Sequence, residues 1–155
     1  MSVDLVLWRH ADARDARDGQ GDADRPLSPK GERQAQRMAA WLNRHLPDST
    51  RVLVSPTLRT RQTALALDRK IRLCEALAPG AGVESLLATA RWPDAREPVL
   101  VVGHQDTLGL TAAYLLSGKV QAWTVRKGAV WWIRRRERPE GTEVLLHAAV
   151  SAEQV

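Results

Sequence analysis

The sequence predicts an α/β fold in three layers: a mostly parallel central sheet with helices on both faces, extended at its C-terminal end by antiparallel strands. Three observations predict it. Short apolar runs alternate with longer amphipathic stretches through the first three quarters of the chain, as βαβ units require. Those runs are continuously apolar, as strands covered on both faces are. After residue 118 the pattern changes to strand-like segments separated only by turn signals.

In order along the chain, "VDLVLW" (residues 3–8) reads as a buried strand with Asp4 at its edge, and it ends on Arg9 and His10. Residues 11–27 are rich in Asp, Arg and Gly with no apolar period. They predict a long surface loop, and a loop of that length in a compact domain is usually functional or mobile. Its aspartates lack the alternate-position spacing and closing Glu of a calcium loop. A helix follows: Ser28 caps it, Pro29 suits its first turn, and Ala35, Met38, Ala39, Leu42 and Leu46 form one apolar stripe. "RVLV" (51–54) is a second buried strand, after which Ser55 and Pro56 repeat the cap-and-proline signal for a helix through "TLRTRQTALAL". "KIRL" (70–73) is a short third strand, "EALAPGAG" a loop and "VESLLATAR" a modest helix. "EPVLVV" (97–102) is the clearest strand; it leads to "GHQD", with Asp106 as cap of a helix that stops near Gly118. "AWTV" (122–125), "AVWWIRR" (129–135) and "TEVLLHAAV" (142–150) are the late strands, with Arg134, Arg135 and Arg136 on their solvated side and Trp131 and Trp132 on opposite faces.

The 155 residues predict a single domain over 1–155, large enough for a core without staples. With 44% hydrophobic and 26% charged residues the composition is that of a soluble globular protein. No apolar run is long enough to cross a bilayer, and no basic region precedes the N-terminal apolar stretch, so a cytoplasmic protein without membrane contact is expected. The single cysteine, Cys74, forms no internal disulfide and fits a reducing compartment. Position 80 is glycine, so the cysteine-to-arginine spacing of thiol phosphatases is missing and Cys74 reads as a small packing residue. The net charge of +5, carried mostly by arginine, predicts anionic partners and leaves phosphate groups and nucleic acid both open.

In an open α/β sheet, ligands bind beyond the carboxyl ends of the strands, where helix N-termini offer free N–H groups. Arg9 and His10 follow the first strand, Ser55 and Arg59 the second, Glu75 the third, and Gly103 and His104 the fourth. Two histidines, two arginines and a carboxylate then converge on one edge. A neutral imidazole, its other nitrogen held by a carbonyl, can attack phosphorus, and fixed cationic donors can hold the equatorial oxygens. His10 is the candidate nucleophile; Arg9, Arg59 and His104 are the candidate donors, with no metal and no cofactor required.

"LWRHADA", "DADRPLSPKGERQAQRMAAWL", "VLVSPTLRTRQTA" and "VLVVGHQDTL" together resemble the histidine phosphatase superfamily, with its phosphoglycerate mutase-like fold, and most of all its small SixA-type branch of phosphohistidine phosphatases. The resemblance implies His10 as phosphoacceptor, Arg9, Arg59 and His104 as the phosphate pocket, and Arg25 of "DRPLS" as an arginine near the phosphate. Ser28 matches a hydroxyl position at the start of the next helix. The superfamily's usual glycine after the nucleophile is Ala11 here, a change common in this branch. Glu75 falls where many relatives carry a general acid, and Asp12 is a second candidate.

An alkoxide leaving group needs a positioned acid, whereas imidazole leaves phosphorus far more easily. A weak acid and a short chain without inserted lids therefore point to a phosphohistidine on a protein partner, such as a phosphotransfer domain or phosphocarrier, with phosphate or another oxyanion in the site and a role in signal transduction. The alternatives are a phosphatase of small phosphate esters with the same mechanism, and a non-catalytic phosphate- or nucleic-acid-binding module motivated by "WWIRRRER". No nucleic-acid motif is present, so no nucleic acid partner is expected. His45, His147 and the tryptophans read as structural.

Overall fold

The computed structural model describes residues 2–155. Six strands form one sheet in the order β3-β2-β4-β1-β5-β6: β1 Ser2–Arg9, β2 Arg51–Val54, β3 Arg72–Leu73, β4 Val99–Gly103, β5 Val130–Arg138 and β6 Gly141–Val150. The pairs β1·β4, β2·β4 and β2·β3 are parallel, while β5 and β6 continue the sheet antiparallel beyond β1. Four helices cover it: α1 Pro29–His45, α2 Leu58–Leu65, α3 Val83–Ala90 and α4 Gln105–Ser117. None is long and apolar enough to cross a membrane.

The period of two in β1 divides the core. Leu5 and Leu7 point into a cluster with Leu86 and Ala90 of α3 and Leu108 and Ala112 of α4. Val6 and Trp8 point to the other face, among Met38, Ala39 and Leu42 of α1 and Ala64 of α2. Each fully buried aliphatic side chain here contributes about 1.5–3 kcal/mol, so the alternation fixes which face each residue takes. The helices after β1 and β4, adjacent parallel strands, leave on opposite faces and open a crevice at their carboxyl ends.

The predicted α1 stripe is buried as expected, and Ser28 Oγ accepts from the Gly31 N–H as its cap. Several local expectations change. The N-cap of α2 is Thr57, because the fully buried Ser55 hydroxyl is engaged elsewhere. The N-cap of α4 is His104, with Asp106 inside the first turn. "AWTV" forms no strand: residues 119–128 lack a sheet neighbour, and their backbone is held instead by the Gln105 amide, which donates to the Trp123 carbonyl (2.6 Å) and accepts from the Val125 N–H (2.9 Å).

The three consecutive arginines of β5 alternate faces and are not all solvated. Arg134 grips Asp4 through two bonds of 2.8 and 3.0 Å across β1·β5, Arg135 pairs with Glu137 and Arg136 with Glu143. An arginine facing a carboxylate across a strand pair satisfies the cross-strand charge rule, which the run of like charges in sequence hides. Trp131 and Trp132 do pack into opposite clusters.

Candidate active site

The first strand delivers Arg9 and His10 into the crevice with a tightly specified backbone. The His10 N–H donates to the Gly103 carbonyl of β4 (3.0 Å), and the Gly128 N–H is shared between the Arg9 and His10 carbonyls (3.1 and 3.0 Å). Gly128 has φ +74°, a conformation that glycine adopts without strain. The Trp8 indole N–H donates to the Gly128 carbonyl (3.1 Å). The Ala11 N–H donates to Thr63 Oγ1 (3.0 Å), whose own hydroxyl donates to the Arg59 carbonyl (2.7 Å). Ala11 is fully buried in a small cluster with Leu27 and Ala35, an environment that holds a methyl group.

The His10 ring is only 7% exposed. Its Nδ1 lies 2.7 Å from the Ala11 carbonyl, which can only accept, so Nδ1 carries the proton and Nε2 keeps a free lone pair. Burial is the main cause that drives its pKa down to about 3, with the cations Arg59 and Arg9 adding to it against the opposing Ala11 bond. His104, whose ring centroid is 5.5 Å away, is likewise 7% exposed and is lowered to about 4, by burial and then by Arg59. Its Nε2 is 2.8 Å from Ser55 Oγ and its Nδ1 faces Arg59 Nη2 at 3.5 Å. A guanidinium only donates, so Nε2 holds the proton and Ser55 accepts it.

Both arginines are braced on their outer sides. Arg9 Nη1 donates to the Val125 carbonyl (2.9 Å), with Gln105 Oε1 beside it at 3.4 Å. Arg59, only 5% exposed, donates through Nη1 to the Asp22 carbonyl (3.0 Å) and through Nη2 to Asp22 Oδ2 (3.2 Å). The Nε atoms of both are buried donors with no protein partner. A buried unmet donor is costly, and two of them beside two neutral imidazoles make a pocket suited to an oxyanion.

The remaining candidates lie elsewhere. Arg25 reaches the cluster only through Asp22: its Nη1 donates to Asp22 Oδ1 (3.1 Å) and its Nε to the Arg14 carbonyl (2.8 Å). Asp12 spends one oxygen on the Ser28 hydroxyl (2.6 Å) and the other on Lys127 (3.2 Å), and the Ser28 bond is the main cause that lowers its pKa. Glu75 is exposed and lines a different cleft with Arg51, Arg72 and Arg91. A larger cleft of about 920 Å³ between α1 and α2 adjoins Leu27 and contains none of the four clustered side chains. Gln105, Thr63 and Asp22 are the neighbours that sequence reasoning did not place, and Ser55, which it put at this edge after the second strand, it did not pair with His104. Ser55 carried a signal in its position directly after a buried strand, but its helix-cap reading concealed it.

The depressed histidines set a pH expectation. The unfolded imidazoles protonate near 6.5 and the folded ones only near 3–4, so their neutral burial supports the fold fully above about pH 6.5 and is lost as pH falls toward 4–3. In a histidine NMR titration of the folded chain, His10 and His104 are expected to keep neutral-ring shifts at pH 5.5, with thermal stability declining below pH 6.5. A midpoint near 6.5 for either ring would contradict the assigned burial.

With this geometry in place, the comparisons are specific. The model of the histidine phosphatase superfamily (branch 1) matches residues 5–78. The phosphohistidine phosphatase SixA of Escherichia coli is 32% identical over 125 residues, covering 76% of each chain. Uncharacterised proteins of Mycobacterium tuberculosis are 39% identical over 105 residues, and the matched region spans 65% of their length. The SixA structure from Nakamurella multipartitia aligns with TM-score 0.75 at 30% identity, covering 97% of this chain and 98% of that one. The structure of the protein histidine phosphatase SixA complexed with tungstate aligns with TM-score 0.71 at 26% identity, covering 96% and 97%.

Proposed function

The chain belongs to the histidine phosphatase superfamily and to its SixA-like branch, and from that premise we propose that it is a phosphohistidine phosphatase acting on a phosphorylated protein. His10 is the nucleophile. Its Nε2 lone pair attacks phosphorus, the bond from phosphorus to the substrate's imidazole nitrogen breaks, and that nitrogen takes a proton from solvent. Water then attacks the phosphoryl group on His10, the N–P bond breaks, and inorganic phosphate leaves. Arg9 and Arg59 hold the equatorial oxygens through both steps, and His104, whose Nε2–H is given to Ser55, joins them as a donor once the bound anion brings a proton to its Nδ1. That the structure of a SixA relative is a complex with tungstate supports binding of an oxyanion by this fold.

The observation that carries the choice of substrate is the position of the carboxylates. Glu75 is exposed in another cleft, and both Asp12 oxygens are already engaged. The Asp22 carboxylate at the pocket is bound to Arg25 and Arg59, with the Arg25 bond the main cause that lowers its pKa, so none of the three supports protonation of an alkoxide. Imidazole, with an ordinary pKa near 6.5, needs far less help to leave. A positioned acid is worth about 10²–10⁴ in rate, so a histidine-phosphorylated phosphotransfer domain is expected to be turned over with a kcat/KM at least about a hundredfold above that for small alcohol phosphates. Faster hydrolysis of the alcohol esters would replace this reading with that of a small-ester phosphatase.

A further inference from the structure

Loop 11–27 brings one carboxylate into the phosphate pocket. Asp22 sits in a short 3-10 turn, Asp22–Asp24, inside a loop that is closed at its base by the Ala13·Leu27 bridge and the Arg14 N–H to Pro26 carbonyl bond (2.9 Å). The base is further fixed because α1 presses on it: a Cβ on Gly31 would lie 1.9 Å from the Asp12 carbonyl oxygen. From this base the Asp22 carboxylate divides between two cations, Oδ1 on Arg25 and Oδ2 on Arg59. Its side chain is 63% exposed, while that of Arg59 is 6% exposed, so Asp22 closes over the pocket from the solvent side.

An arginine grips an oxyanion in two places through one edge of its fork. For Arg59 the edge facing the cluster is Nε with Nη2, since Nη1 is bound to the Asp22 carbonyl. Nε has no protein partner, and the two hydrogens of Nη2 face the Asp22 carboxylate (3.2 Å) and His104 Nδ1 (3.5 Å), so a phosphoryl oxygen on this edge has to contend for one of them. The geometry points to Asp22 as an intramolecular competitor for the phosphate pocket: its carboxylate and a phosphoryl oxygen contend for Arg59 Nη2, and Arg25 retains the carboxylate when the phosphoryl group takes that corner. The inference rests on the reading above that Arg59 binds the phosphoryl group. Its functional consequence is release of product. Inorganic phosphate, no longer tied to a substrate, meets a carboxylate held ready to retake Nη2, so the pocket keeps a low affinity for what it has made.

The sign of one substitution separates this from a merely structural role. Asp22→Asn keeps the size of the side chain and the main-chain bond to Arg59 Nη1 while removing the charge. The dissociation constants of inorganic phosphate and of tungstate are to be measured by calorimetry for the parent chain, Asp22→Asn and Arg59→Ala, with thermal melting as the check on folding. Asp22→Asn is expected to bind both anions about tenfold more tightly, the scale for removing a like charge a few ångströms away at a partly screened site. Product inhibition by phosphate should strengthen by the same factor. Unchanged or weaker binding by Asp22→Asn, with Arg59→Ala still showing that Arg59 holds the anion, would overturn the competitor and leave the pocket standing. Equal binding by the parent chain and Arg59→Ala would remove the pocket itself and the competitor with it.

Discussion

Replacing His10 with alanine is expected to abolish turnover and to eliminate acid-labile phosphate from the protein after incubation with a histidine-phosphorylated phosphotransfer domain. Removal of a nucleophile in a covalent mechanism lowers rates by about 10⁴–10⁶, and no other side chain in the cluster replaces it. The His104 ring faces Arg59 with the only nitrogen it has free, the other being bonded to Ser55. The backbone at residue 10 is fixed by bonds to Gly103 and Gly128 that do not involve the imidazole, so the variant should fold. Its ring-sized gap is lined by the same donors. Added imidazole is therefore expected to restore part of the turnover by taking the phosphoryl group on its own nitrogen, with phosphoimidazole as the detectable intermediate. Retention of labelled protein in His10→Ala would move the nucleophile elsewhere.

The second large effect is expected at Arg59. Loss of one donor aimed at developing charge costs about 10²–10³ in rate, and Arg59→Ala should reach at least that range because it also releases Asp22 and the loop turn around it. Arg59→Lys tests the geometry. A lysine retains the charge but has no planar fork, so it cannot bond the Asp22 carbonyl and an oxyanion edge at the same time. Lysine should recover less than a tenth of the lost kcat/KM, roughly, if the fork matters more than the charge. Full recovery by lysine would reduce Arg59 to a point charge. Steady-state kinetics on the phosphorylated domain read both outcomes.

The sheet and its helices were legible because their signals are local. The apolar runs at residues 3–8, 51–54 and 97–102 and the stripe from Ala35 to Leu46 each state a period that burial then enforces. The same holds for the order of residues that end strands, which places Arg9, His10, Ser55, Arg59 and His104 together. What local signals cannot state is which of two polar partners wins. Ser55 before a proline has the form of a helix cap, yet it is fully buried next to a histidine 49 residues away. "AWTV" has strand propensity, but it joins neither outer strand of the sheet, β3 or β6, and its backbone is bonded to the Gln105 side chain instead. Asp22 was one acidic residue among several in an aperiodic loop; its significance arises only when the loop folds back onto an arginine 37 positions further on.

The connection from α4 to β5 divides into two stretches of different tolerance. Residues 117–122 are exposed, whereas from Trp123 onward the backbone answers to Gln105, and Gly128 to the carbonyls of Arg9 and His10. The helix before it is equally committed, since a Cβ on Gly109 would lie 2.0 Å from the Trp123 carbonyl oxygen. Length can therefore vary at the tip without disturbing the chemistry, while a single residue added between Trp123 and Gly128 would shift the main-chain support of His10. A tolerant tip and a fixed clamp thus share one short connection, and any cover built over this crevice from that side has to grow from the tip.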